Sequence, residues 1–169
     1  MTTQGTLSIN NNIYNVNGNS WFDRQYGNLA KAVLKGWQWF AIKLDSNIEI
    51  MLFDFIDDNS EKYGSITYDN GKSISIDSSQ FNVTILNYWT SPKTNCKYPS
   101  GWEITIINND NIDININKFN VIPMVLDQEL KVTDSPTYWE GSSYVNDNDN
   151  QHIGLAYVEL NGYCSKLKN

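Results

Sequence analysis

An all-β chain built of meandering hairpins is what this sequence predicts, and three observations predict it. Strand-forming residues recur at period 2 through most of its 169 positions. Asn, Asp and Gly punctuate these runs from end to end, and these are the residues that tolerate the positive φ of tight turns. Only one segment, 27–35, has helical character, with Asn28 as its cap and Gly36 as its stop.

Strands are expected first at 5–9 and 12–17, joined by a tight Asn10-Asn11 turn, and then at 20–26. A helix of one or two turns over 27–35 separates these from strands at 36–44 and 48–56. The pair 62–69 and 72–77 turns through Asp69-Asn70-Gly71, and 81–90 follows. Strands at 101–107 and 111–117 are joined by Asn108-Asn109-Asp110. In IDININ at 112–117, Ile112, Ile114 and Ile116 alternate with Asp113, Asn115 and Asn117, the pattern of a barrel or sandwich wall with one wet face. The stretch 119–136, with Pro123 and Pro136, reads as a loop with a short strand crossing a barrel mouth. Strands at 138–146 and 153–163 finish the chain, around a surface turn at 145–151 that lacks the spaced oxygen series of a calcium loop.

With 40% hydrophobic and 13% aromatic content, the chain is long enough to bury a core as one domain over 1–169. Its net charge of -7 and its lack of any Lys/Arg cluster argue against nucleic acid or an anionic membrane as partner. The start MTTQGTLSIN has no signal-peptide pattern and no apolar run could span a bilayer, so the default expectation is a cytoplasmic location. Cys96 and Cys164, far apart in sequence, either pair in a disulfide or stay as two partly buried thiols, the second being the default, and with a single His no metal site is expected. That residue, His152, follows an Asn/Asp-rich turn and reads as exposed. Phosphate loops and nucleophile elbows are absent.

The chemistry-bearing residues gather in aromatic-acid blocks: SWFDRQYG at 20–27, GWQWFAIKLDS at 36–46, YWEG at 138–141 and AYVELNGY at 156–163. Four of the six Trp lie in them. Such clusters resemble the wall of a pocket for an apolar ligand, where a carboxylate beside indole has its pKa displaced. In an extended 20–27, Trp21, Asp23 and Gln25 share a face. Turned into an apolar interior, Asp23 becomes a proton donor near neutral pH; turned outward, it pairs with Arg24 or caps the helix. Trp37 and Trp39 share a strand face with Ala41, opposite Phe40, Ile42 and Leu44, so both faces are covered. The indoles either line a cavity and stabilise a cation, or are core. Glu140 shares its face with Tyr138 and Tyr144, as a general acid or base or as part of a buried network. Glu159 and Tyr163 share a face of the last strand and invite the same two roles.

These blocks resemble the carotenoid 1,2-hydratase and AttH-like family of lipocalin-like proteins, to which fungal pericyclases and kievitone hydratases also belong. The matching pieces are VNGNSWFDRQYG at 16–27, GWQWFAIKLDSNIEIMLF at 36–53, YPSGWEITI at 98–106, LDQEL at 126–130, YWEG at 138–141 and GLAYVELNGY at 154–163. They correspond to the C-terminal half of family members, which are about twice as long. Arg24 stands where some relatives have His, and Asn161 where Thr is usual. The resemblance implies a lipocalin-like antiparallel β-barrel holding an isoprenoid, terpenoid or polyketide-like molecule, and cofactor-free hydration or cyclisation. On that pattern Asp23 donates the proton, Trp21, Trp37 and Trp39 shield the cation, and Tyr138 with Glu140 positions water. Gln25, Trp139, Tyr157 and Glu159 complete the expected ligand contacts. The alternatives are a non-catalytic lipocalin-like carrier of an apolar ligand, and half of a two-domain enzyme for which a homodimer or a missing N-terminal domain is the expected partner.

Overall fold

A computed structural model of the chain describes residues 1–22, 24, 36–56, 62–131 and 136–164. The helix expected over 27–35 lies outside the described residues, as do Asp23 and Gln25. Every regular element among the described residues is a strand.

Strands β1 (Thr2–Ile9) and β2 (Asn12–Asn19) form a separate two-stranded hairpin, turned by Asn10 and Asn11 at φ 49° and 64°. The remaining strands are β3 (Trp37–Leu44), β4 (Glu49–Phe55), β5 (Lys62–Thr67), β6 (Ser73–Asp77), β7 (Phe81–Thr90), β8 (Lys97–Ile106), β9 (Lys118–Pro123), β10 (Glu129–Leu130), β11 (Tyr138–Asn146) and β12 (His152–Asn161). They pair in the order β6-β5-β4-β3-β12-β11-β9-β8-β7, with the two-residue β10 on β11, all antiparallel. The sheet curls into a half-barrel whose outermost strands, β6 and β7, are consecutive in sequence.

One face of this sheet holds the core. Phe40, Ile42 and Leu44 of β3 meet Ile50 and Leu52 of β4, Ile66, Tyr98, Trp102, Ile104, Phe119, Val121, Trp139, Val158 and Leu160. These side chains form a core in which each buried large side chain contributes about 1.5–3 kcal/mol.

Three expectations are corrected. Residues 112–117 form no strand: Asn108 donates its side-chain N–H to the Ile114 carbonyl and its oxygen accepts from the Ile114 N–H, which diverts the backbone from a ladder. Ile112 and Ile114 are still buried and cap one end of the half-barrel, while the strand lies later, in β9. The expected strand at 20–26 is absent at every described position there, Ser20, Trp21, Phe22 and Arg24. Finally, Cys96 and Cys164 are not free thiols but a disulfide spanning 68 positions, because the turn after β12 brings Cys164 against the start of β8. No helix among the described residues is long and apolar enough to cross a membrane.

Candidate functional site

Strand pairing carries most of the aromatic-acid residues to the face opposite the core. Register aligns Glu140 of β11 with Glu159 of β12, Glu159 with Trp39 of β3, Trp39 with Phe53 of β4, and Phe53 with Tyr63 of β5. This is one continuous row across five strands. Directly opposed side chains lie close enough to interact, so the row is a surface of two carboxylates and three rings in lateral contact. Beside it a parallel row runs from Asn161 through Trp37 to Phe55. Tyr157 sits on the other flank, between Ser142 and Ala41.

The rings form a connected group. Trp21 approaches Trp39 with centroids 6.5 Å apart, Trp37 approaches Phe53 at 6.1 Å, and Phe53 stacks on both Phe55 and Tyr63 at 5.3 Å. Trp21 and Tyr63 are nearly half exposed, whereas Trp39, Phe53 and Phe55 are half-buried, so the group is open at its ends and largely covered between them. Trp37 is buried, and its indole N–H has no hydrogen-bond partner among the described residues. Tyr138 belongs to the same face; burial, reinforced by the charges of Glu140 and Glu159, pushes its phenol above the ordinary 10 and keeps it protonated.

Two expected site residues are elsewhere. Trp139 points to the core face, where it is buried, packs against Trp102 at 6.5 Å and donates its indole N–H to the Leu126 carbonyl at 2.7 Å. Tyr163 does not share the face of Glu159, because Gly162 at φ 83° ends the alternation and turns Tyr163 onto Tyr98, 5.9 Å away. His152 is exposed, as expected, and meets Tyr144 edge-on.

Sequence reasoning missed two polar centres. On the core face Gln38 accepts from the Trp102 indole at 2.7 Å and donates to Asp54 at 3.4 Å, with Lys62 also 3.4 Å from Asp54. At the β7–β8 end, Glu129 accepts from Ser91, Thr94 and Tyr98. The alternation of β3 placed Gln38 among core residues and was the signal for the first. Glu129 lies in a stretch with no periodic pattern, and its place in the LDQEL block at 126–130 was the one signal for it.

A family model described as AttH-like matches residues 1–163. Among solved structures, an AttH protein of Nitrosomonas europaea matches with a TM-score of 0.74 at 20% identity, over 96% of this chain and 50% of that one. Kievitone hydratase of Nectria haematococca matches with a TM-score of 0.68 at 22% identity, over 93% of this chain and 49% of that one. The chain therefore spans about half the length of each. No curated protein sequence matches it.

Proposed function

The chain belongs to the AttH-like family, and from that premise we propose that it is a hydratase-type enzyme acting on an apolar isoprenoid, terpenoid or polyketide-like molecule. The observation that carries this reading is the row Glu140, Glu159, Trp39, Phe53, Tyr63. In it two carboxylates are held at the rim of an aromatic surface. In this reading the outer face is the binding surface, with the ligand lying along Trp21, Trp39, Phe53 and Tyr63.

On the same reading a carboxyl group of the row, in its protonated form, gives its proton to a double bond of the bound molecule. The cation that forms is stabilised by the ring faces. The second carboxylate accepts a proton from the water that adds, and the protonated Tyr138 polarises an oxygen of the substrate. Asp23, two residues from Trp21, is a second candidate donor. The same surface without water at the cation would guide a cyclisation. Trp37 and Ala41 on this face are already shielded from solvent, and a second domain or a second copy would extend that cover over Trp21 and Tyr63.

The test incubates the chain with an acyclic polyene and with a prenylated phenol and looks for a product heavier by one water. Glu140→Gln and Asp23→Asn should abolish turnover with ligand affinity and the far-ultraviolet dichroism unchanged, and Trp39→Ala should weaken binding. Ligand bound and returned unchanged by the native chain would reduce the protein to a carrier. Full turnover by Glu140→Gln would remove the carboxylate pair from the mechanism.

A further inference from the structure

Three chain segments converge beside the disulfide. The connection from β7 to β8 contributes Ser91, Thr94 and Cys96, β10 contributes Glu129, and the turn after β12 contributes Cys164. The two Sγ atoms and a Glu129 carboxylate oxygen all lie within 4.8 Å of one another. Glu129 is positioned with care: Oε1 accepts from Thr94 at 2.6 Å and Tyr98 at 2.9 Å, and Oε2 accepts from Ser91 at 2.6 Å. Ser91 and Tyr98 are themselves fully buried. All three donors are neutral hydroxyls, so none of them compensates the carboxylate charge. Two oxygens offer about four lone-pair sites, and the three hydroxyls occupy three of them.

We infer that reduction converts the Cys96–Cys164 disulfide into a zinc site, with the two thiolates and one Glu129 carboxylate oxygen as ligands and water in the fourth position. Two sulfurs and a carboxylate oxygen suit a tetrahedral Zn2+, and three protein ligands with an open position are a standard arrangement for that ion. The hydroxyls on Glu129 would serve as the outer hydrogen bonds that orient a metal-bound carboxylate. In the reaction, a dithiol reductant transfers two electrons to the S–S bond and is itself oxidised to a disulfide. The two sulfurs take up two protons as thiols, and metal binding releases those protons to solvent. The oxidised and metal-bound states are therefore mutually exclusive at the same sulfurs. Which one forms is set by the redox poise around the protein.

The probe is Co2+, which in a tetrahedral sulfur-containing site gives thiolate charge-transfer and visible ligand-field absorption. The reduced chain is expected to bind one Co2+, displaced by Zn2+, and the oxidised chain none. Cys96→Ser with Cys164→Ser should abolish the charge-transfer band. Glu129→Gln should keep the band but weaken binding roughly tenfold or more, a loss that an unfolded dithiol would not show because Glu129 would be remote. Co2+ bound equally by the oxidised chain would overturn the proposal. So would no band in the reduced chain, or equal affinity in Glu129→Gln.

Discussion

Trp102 donates its indole N–H to the side-chain oxygen of Gln38 at 2.7 Å, tying β8 to β3 through the buried core. An unsatisfied buried donor costs about 1–3 kcal/mol, whereas removing both partners together can be nearly neutral. Gln38→Leu is therefore expected to lower the urea midpoint substantially. Adding Trp102→Phe should recover part of that loss, since the orphaned N–H goes with it. A double variant no more stable than the sum of the two single losses would mean that the bond contributes little.

Asp54 gives the core a pH dependence of defined sign. Burial pushes its carboxyl above the ordinary 3.8, and Lys62 only partly pulls it back. Between the unfolded value and the raised folded one, the native state binds more protons, so this group's contribution is greatest in acid and is lost as pH rises through that window. Asp54→Asn cannot titrate. Its stability relative to the native chain should therefore rise from about pH 3 towards pH 7, followed by urea unfolding at each pH. A flat difference would show that Asp54 titrates as it does in the unfolded chain.

Tyr98 and Tyr163 should resist alkali. Burial and the Glu129 carboxylate push Tyr98 well above the ordinary 10; burial, with Asp54 and Tyr88, does the same for Tyr163. Their contribution is intact below the unfolded value near 10 and is lost as pH rises beyond it, because the unfolded chain ionises first. Absorbance near 295 nm should then rise in two stages, the second coinciding with loss of the strand dichroism. Tyr98→Phe and Tyr163→Phe should each shrink that second stage. A single smooth titration of all ten Tyr would contradict the burial of both.

Alternation made the faces of β3 and β11 readable before the fold: Trp37 and Trp39 against Phe40, Ile42 and Leu44, and Tyr138 with Glu140 against Trp139. Which face is core was not readable, because period 2 sorts residues into two sets without saying which one meets the other strands' apolar set. That is why Trp139 parted from the other candidates. Ile112 and Ile114 kept their burial and lost their strand, since Asn side chains compete for backbone partners in a way that hydropathy does not record. The disulfide was left undecided because the proximity of Cys96 and Cys164 is made by β12, β11, β9 and β8 curling round the core and not by sequence spacing. Glu129 found its role only through three hydroxyls from other elements.

Gly154 and Gly141 lie on the same core face of adjacent strands, yet their substitutions should differ sharply. A Cβ on Gly154 would run into the backbone carbonyl of Lys43 and stand 2.9 Å from the Leu44 Cα, atoms fixed by the β3–β12 ladder. Neither can yield without separating the strands, so Gly154→Ala should cost about 3 kcal/mol or more, at the upper end for overpacking. The three atoms nearest a Cβ on Gly141 all belong to the end of the Gln128 side chain. That side chain can swing away at the loss of its 2.7 Å bond to the Val125 carbonyl, which is worth about 1 kcal/mol. Thermal melts of the two variants should rank them in this order. The reverse order would mean that the β3–β12 contact gives way more easily than the loop around Gln128.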